Sequence, residues 1–318
     1  MSIQPNDVPH AQHSGYRHEA LLYAGLDGFL AGTLPFVRGA LDAGEPILVV
    51  LGAEKIEALR GELGDDAGAV LFADMAVVGS NPARIIPAWQ DFLGAHSEAA
   101  GRIWGIGEPI WAGRSAPALT ECQRHEQLLN LAFEDPDFSL LCPYDTGTLP
   151  SSVVEEARRS HPFVSEGGAS AHSAPFAGVA ELANADAPPL TEPPASAAAI
   201  AFGAGELREV RAWIARHAAA EGMAPERINE LLLAANEITT NSLVHGGGSG
   251  TVALWREHDA IVCEVRDRGR LTDPLAGRRR PSHGGHGGRG LWTANQLADL
   301  LQIRALAEGT VVRIHMLA

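Results

Sequence analysis

Residues 229–248 read NELLLAANEITTNSLVHGGG. The spacing predicts one long helix in which Glu237, Asn241 and His245 follow at i, i+4 steps, and residues four apart share a helix face. Leu231, Leu232, Ala234, Ala235, Ile238 and Leu243 supply its apolar remainder. An acid and an amide one turn apart can serve a hydrated Mg²⁺ and an attacking water or hydroxyl, because magnesium takes few protein oxygens when it also binds phosphates. Taken alone, the triplet also reads as a solvated polar face.

The sequence downstream decides between these readings. Residues 261–269, IVCEVRDRG, make an apolar strand ending in Asp267-Arg268-Gly269. Residues 284–291, GGHGGRGL, make a glycine-rich loop that opens a helix near Leu291, and Gly309-Thr310 lies between two strand-like runs. In this order the stretches resemble the GHKL (histidine kinase-like) ATP-binding fold of gyrase, histidine kinases and anti-sigma serine kinases. The GRGLW sequence at 288–292 is similar to the anti-sigma branch.

That resemblance implies an α/β sandwich with ATP and Mg²⁺ as cofactors. Asn241 would be the metal ligand, and Glu237 the general base toward an attacking hydroxyl. Asp267 would accept a hydrogen bond from the adenine amino group, and Gly269 would let the backbone approach the base. Gly288 and Gly290 would present amides to phosphates at a helix start. Arg289 would add charge, His245 would extend the binding face, and Thr310 would reach the Asp267–adenine network. Plainer readings stand beside these: Asp267 as a strand end, the glycine run as a flexible loop, Thr310 as an ordinary strand residue. The chain departs from the family's DxGxG box at Arg270, whose Cβ makes positive φ less accessible than at glycine. Between the boxes, Arg278-Arg279-Arg280 with His283 and His286 form a local positive segment suited to a triphosphate.

The chain has 318 residues, enough for two ordinary domains. With 46% hydrophobic and 20% charged residues it reads as globular. A net charge of −15 argues against direct DNA binding, which needs a phosphate-neutralising surface. Cys122, Cys142 and Cys263 form no disulfide framework or CxxC pair. The N-terminus lacks the apolar centre of a signal peptide, and no run of about 18 apolar residues predicts a membrane span. The expected location is cytoplasmic.

Residues 1–14 read as a disordered leader. From residue 26 onward helical and strand patterns alternate: helix 26–42, strand 47–51, helix 53–63, strand 69–72, helix 81–96, strand 102–107, helix 116–133, strand 138–142, then a helix near Pro150. This order predicts an α/β unit with a mostly parallel sheet over residues 15–163. It holds no GxxxxGK[ST] phosphate loop; the turn after the first strand is Gly52-Ala53-Glu54-Lys55. His18-Glu19, Leu22-Tyr23, Gly44-Glu45-Pro46, Gly107-Glu108, Cys122, His125-Glu126, Cys142-Pro143-Tyr144-Asp145 and His161-Pro162 resemble the MEDS sensory domains, relatives of the RecA/KaiC sheet.

Ligands of parallel sheets sit beyond the carboxyl ends of strands, so Glu108, Trp111, Tyr144 and Asp145 are candidate walls of a sensory pocket. Packing residues and caps are the plainer reading. His18, Cys122 and His125 are further candidates for a metal or redox site, though three ligands fall short of a structural zinc set. His125-Glu126 also mimics the phospho-acceptor pair of histidine kinases, outside the helical hairpin that such an acceptor requires.

Residues 164–197 are rich in Ala, Gly, Ser and Pro and read as a linker. Residues 198–318 then predict four or five antiparallel strands backed by three helices. The resemblance implies an anti-sigma-type regulator that binds ATP·Mg²⁺, holds a sigma factor and phosphorylates Ser/Thr of a STAS-type antagonist, with a small-molecule or redox signal read by the first domain. A sensor histidine kinase and a nucleotide-dependent binding module are the alternatives. The anti-sigma branch commonly dimerises through its ATPase domain, so a homodimer is among the expectations.

Overall fold

The computed structural model describes residues 15–98, 101–133, 136–184, 188–281 and 288–317. The leader, and the part of the glycine-rich loop with His283 and His286, lie outside the described residues.

The first unit is built on seven strands: β1 (Arg17–Tyr23), β2 (Ile47–Leu51), β3 (Leu71–Asp74), β4 (Ile103–Gly107), β5 (Phe138–Asp145), β6 (Phe163–Glu166) and β7 (Ala169–His172). They run in the order β3-β2-β4-β5-β1-β6-β7, all pairs parallel except β6–β7. Helices α1 (Gly25–Ala43), α2 (Ala53–Leu63), α3 (Met75–Val78), α4 (Ile85–Ala95), α5 (Ala116–Ala132), α6 (Ser151–Ser160) and α7 (Val179–Asn184) connect or follow them. Side chains alternate across a strand, so each central strand feeds two cores. Val49, Leu51, Leu21 and Leu141 face α1 and α2; Val50, Leu22, Leu140 and Cys142 face α4, α5 and α6. Val49, Val50 and Leu51 are fully buried, each stabilising the fold by about 1.5–3 kcal/mol.

Three departures from the sequence reading have local causes. The first strand is β1, whose Arg-His-Glu opening hides the pattern; His18 and Glu19 are nonetheless buried. Strand β5 runs past Cys142 through Pro143, because β4 pairs with β5 only as far as Leu141 and beyond it Pro143 pairs with β1 alone. The boundary expected at residue 163 falls inside the sheet: the β6–β7 hairpin continues it to His172.

The second unit contains β8 (Ala198–Gly203), α8 (Leu207–Ala220), α9 (Pro225–His245), β9 (Ser249–Glu257), β10 (Ala260–Asp267), α10 (Arg289–Leu297), β11 (Leu300–Leu306) and β12 (Gly309–Leu317). Its antiparallel sheet runs β11-β12-β10-β9-β8. One face buries Val252, Cys263, Val265 and Ile314 against Ile214, Leu231 and Ile238 of the helices, giving the α/β sandwich. Alanine and proline at the start of α9 suit a first turn that needs no N–H.

The units touch along α10 and the loop before it. Leu275 is buried in the same core as Trp89 and Leu128 of the first unit. Glu121 on α5 accepts from Arg278 and Arg304, both at 2.8 Å, and all three are almost fully buried. Asn81 and Arg84 donate to the carbonyls of Asn295, Gln296 and Ala298, which close the C-terminal end of α10. Those carbonyls are otherwise the orphan acceptors of a helix end.

Candidate nucleotide site

The face predicted on α9 opens on a cleft of about 640 Å³ between α9, the end of β10, the 270–281 loop and the start of α10. Glu237 and Asn241 are half-buried and His245 is exposed; all three line the cleft. Glu237 and Asn241 converge on one point: a Cβ added at Gly290 would lie 2.9 Å from Asn241 Nδ2 and 3.0 Å from Glu237 Oε2. Gly288, in the left-handed region at φ 84, caps α10 and turns the chain into its first turn. The unsatisfied amides of that turn, with the positive helix end, face the acid and amide of α9.

The other end of the cleft is organised by Asp267. Its Oδ2 accepts from Ser242 Oγ at 2.6 Å and its Oδ1 from the Gly269 amide at 2.7 Å. Each such bond to a charged acceptor stabilises by about 1.5–3 kcal/mol, so the carboxylate is held as an acceptor. Thr310 pairs with Asp267 across β10–β12 and donates to the Gly269 carbonyl at 2.9 Å. Gly269 packs so closely that a Cβ would lie 2.7 Å from the His245 carbonyl and 2.9 Å from Asp267 Oδ1. Ser242, which anchors the aspartate, belongs to none of the sequence motifs; its place one step past Asn241 is its only trace.

Arg270, Arg279, Arg280 and Arg289 line the cleft. Arg278 does not: it turns inward to Glu121, which corrects the reading of 278–280 as one cationic run. Arg280 also bonds Asp91 at 2.6 Å.

This arrangement suits a magnesium nucleotide: a fixed acceptor beside a glycine floor at one end, and an acid, an amide and a helix N-terminus at the other. Such a nucleotide, when bound, brings an electrophilic phosphoryl group. Asp267 and Gly269 would hold its base, the Gly288–Gly290 amides and Arg289 its phosphates, and Asn241 its metal. Gly290→Ala is expected to leave the urea midpoint of the chain nearly unchanged, because the added methyl meets only the ends of two flexible side chains. Displacing both ends should weaken ATP·Mg²⁺ binding by about tenfold, a cost within the range for overpacking, readable by calorimetry.

Among the described residues, those expected to line a sensory pocket are held by separate partners. Glu108 accepts from Lys55 and Tyr23; burial pushes its carboxyl up, against the pull of Lys55. Trp111 carries Arg114 stacked at 3.8 Å, and Asp145 accepts from the Gly147 amide at 3.0 Å. Cys122 donates to the Pro109 carbonyl, and burial raises its pKa to about 12. Tyr144 is buried edge-on to His161. Only His125 lines the small apolar hollow under α5, beside Met75 and Trp89, which leaves no room for water; burial lowers its pKa to about 3. His18 is buried against Glu126, Asn130 and Cys142. Burial, then the neighbouring His161, lowers its pKa to about 4, so its ring is neutral at physiological pH.

Residues 17–162 match the family model described as MEDS, the "MEthanogen/methylotroph, DcmR Sensory domain". Residues 201–316 match the histidine kinase-like ATPase domain. The chain therefore joins a MEDS domain to a histidine kinase-like ATPase domain. Among solved structures, the RsbU and RsbW domains of Rv1364c from Mycobacterium tuberculosis are similar at 22% identity, over 39% of this chain and 32% of that one, with a TM-score of 0.30. The match thus spans about a third of that chain. No curated protein matches. Among the described residues, no helix is long and apolar enough to cross a membrane.

Proposed function

We propose that the chain is a cytosolic anti-sigma-type regulator. Its ATPase domain binds ATP·Mg²⁺, sequesters a sigma factor and phosphorylates a serine or threonine of a STAS-type antagonist, while the MEDS domain biases these states. The observation that carries the reading is the meeting of Glu237, Asn241 and Gly290 at the start of α10, in the cleft that also holds Asp267. An acid with no hydrogen-bond or ion-pair partner among the described residues is placed to take a proton from an incoming hydroxyl. A sensor histidine kinase acting through His125 is disfavoured, since that ring is 1% exposed within the MEDS domain. Regulation by the first domain is supported by the docked loop and by Asn81 and Arg84, which hold the far end of the helix whose start faces the cleft.

The test is calorimetry of ATP·Mg²⁺ binding to the intact chain and to Asp267→Asn. Binding should depend on Mg²⁺ and weaken about 10–100-fold in the variant, as expected when a charged acceptor for the base is lost. No binding at millimolar nucleotide would sink the reading.

A further inference from the structure

The MEDS domain holds a second cluster of chemistry-bearing side chains that the nucleotide site does not use. His18 on β1, Glu126 on α5, Cys142 on β5 and His161 just past α6 are all buried, and one ligand atom from each lies within 4.8 Å of the others. His18 Nε2 and His161 Nε2 both lie 3.2 Å from Glu126 Oε2, and Cys142 Sγ lies 3.4 Å from His18 Nε2. Atoms that share a tetrahedral ion with bonds of about 2.0–2.3 Å are separated by roughly 3.3–3.7 Å. The three contacts just given already have nearly that spacing, and the whole set lies within 4.8 Å.

The second ring nitrogens fix what the first ones can do. Asn130 donates its amide to the Ser160 carbonyl at 2.8 Å, which turns its Oδ1 toward His18 Nδ1 at 3.1 Å. That oxygen only accepts, so His18 carries its proton on Nδ1. His161 Nδ1 lies 2.8 Å from the Ala157 carbonyl, again an acceptor, and carries its proton there too. Both Nε2 atoms therefore present lone pairs to a carboxylate. The Cys142 thiol has one proton and cannot satisfy three acceptors. Glu126 Oε1 and His161 Nε2 accordingly have no hydrogen-bond partner despite complete burial, a state that costs several kcal/mol unless something cationic supplies it. A histidine whose outer nitrogen donates to a carbonyl while the inner one faces a ligand set is the arrangement found in metal sites.

We propose that His18, Glu126, Cys142 and His161 bind a zinc-class divalent cation. Two imidazoles, a carboxylate and a thiolate complete a four-coordinate set, and the mixed N, O and S donors suit a borderline-soft ion rather than Mg²⁺ or Ca²⁺. On binding, the metal–sulfur bond replaces the S–H bond and the thiol proton leaves to solvent. The ion ties two central strands to α5 and to the end of α6. Cys122 and His125, which the sequence offers beside His18 as metal candidates, lie outside this set: Cys122 is bonded to Pro109, and neither belongs to the cluster.

The test uses the full chain, stripped with a chelator and titrated with Zn²⁺ and with Co²⁺ as a spectroscopic probe. One ion per chain should bind, with a thiolate-to-cobalt charge-transfer band and the intense visible bands of tetrahedral Co²⁺. Glu126→Gln and His161→Gln should weaken Co²⁺ binding by on the order of 100-fold, at or above the range for changes in the groups that support metal ligands. Cys142→Ser should abolish the charge-transfer band. The chain has three cysteines, so if Cys142→Ser fails to fold, retention of the band in Cys122→Ser and in Cys263→Ser assigns the sulfur by elimination. No Co²⁺ uptake by the folded chain, or a band that survives Cys142→Ser, would overturn the site.

Discussion

A Glu237→Gln chain is expected to bind ATP·Mg²⁺ as the wild type does and to transfer phosphate about 10²–10⁴-fold more slowly, the usual weight of a positioned general base. The substitution keeps size and shape. Among the described residues no cation or donor relies on the Glu237 carboxylate, so nothing is stranded by its neutralisation and the fold should keep its urea midpoint. What is lost is only the capacity to take a proton at the point where α9 meets the start of α10. The readout is transfer of labelled phosphate to candidate STAS-type antagonists, with slow hydrolysis to water as the partner-free measure. Transfer at the wild-type rate, with binding intact, would remove Glu237 from that role and leave the cleft as a nucleotide-controlled docking module. Loss of binding together with transfer would mean that the acid helps hold the nucleotide instead.

The two units are legible in the sequence to very different depths. The nucleotide cleft can be read because its parts are local: an i, i+4 face on one helix, an aspartate at a strand end, a glycine-rich turn into a helix. Each is a short-range pattern with its own periodicity, and the sheet brings their ends together. The metal cluster cannot be assembled that way. Its residues stand at 18, 126, 142 and 161, on β1, α5, β5 and just past α6, and none is spaced from another by a ligand motif. Cys122 and His125 stand out because they are one turn apart, but the ring and thiol that meet His18 come through the pairing of β1 with β5 and from the residue after α6. The triple arginine shows the same limit. Arg278 lies in a turn, its amide bonded to the Leu275 carbonyl, and its side chain reaches a buried acid while Arg279 and Arg280 face the cleft. Nothing local distinguishes them; the acid that selects Arg278 is 157 residues away.

That acid joins the two domains through two buried arginines, and Glu121→Gln is expected to destabilise the full chain by about 3–5 kcal/mol. Arg278 and Arg304 are both nearly inaccessible, and Glu121, at 1% exposure, is the only carboxylate paired with either among the described residues. Burial pushes the Arg278 guanidinium pKa down, yet an arginine stays charged. Removing the acid therefore leaves two buried cations facing a neutral amide that can accept but not neutralise. Arg280→Ala is the contrasting case. Its pair with Asp91 is more than half exposed on both sides, and an exposed pair contributes about 1 kcal/mol or less. Urea unfolding of both variants separates the two expectations; equal effects would mean that the buried triad does not hold the domains together. The same pair of variants bears on regulation. Leu275, Ala276 and Gly277 form one wall of the cleft, and Arg278 pins them to the MEDS domain through Glu121. With that tie cut, the wall must be ordered when the nucleotide binds, so ATP·Mg²⁺ affinity should fall in Glu121→Gln although no residue of the cleft itself has changed. Unchanged affinity in a destabilised variant would make the contact a structural seam, and a signal from the MEDS domain would then have to travel through Asn81, Arg84 and the far end of α10.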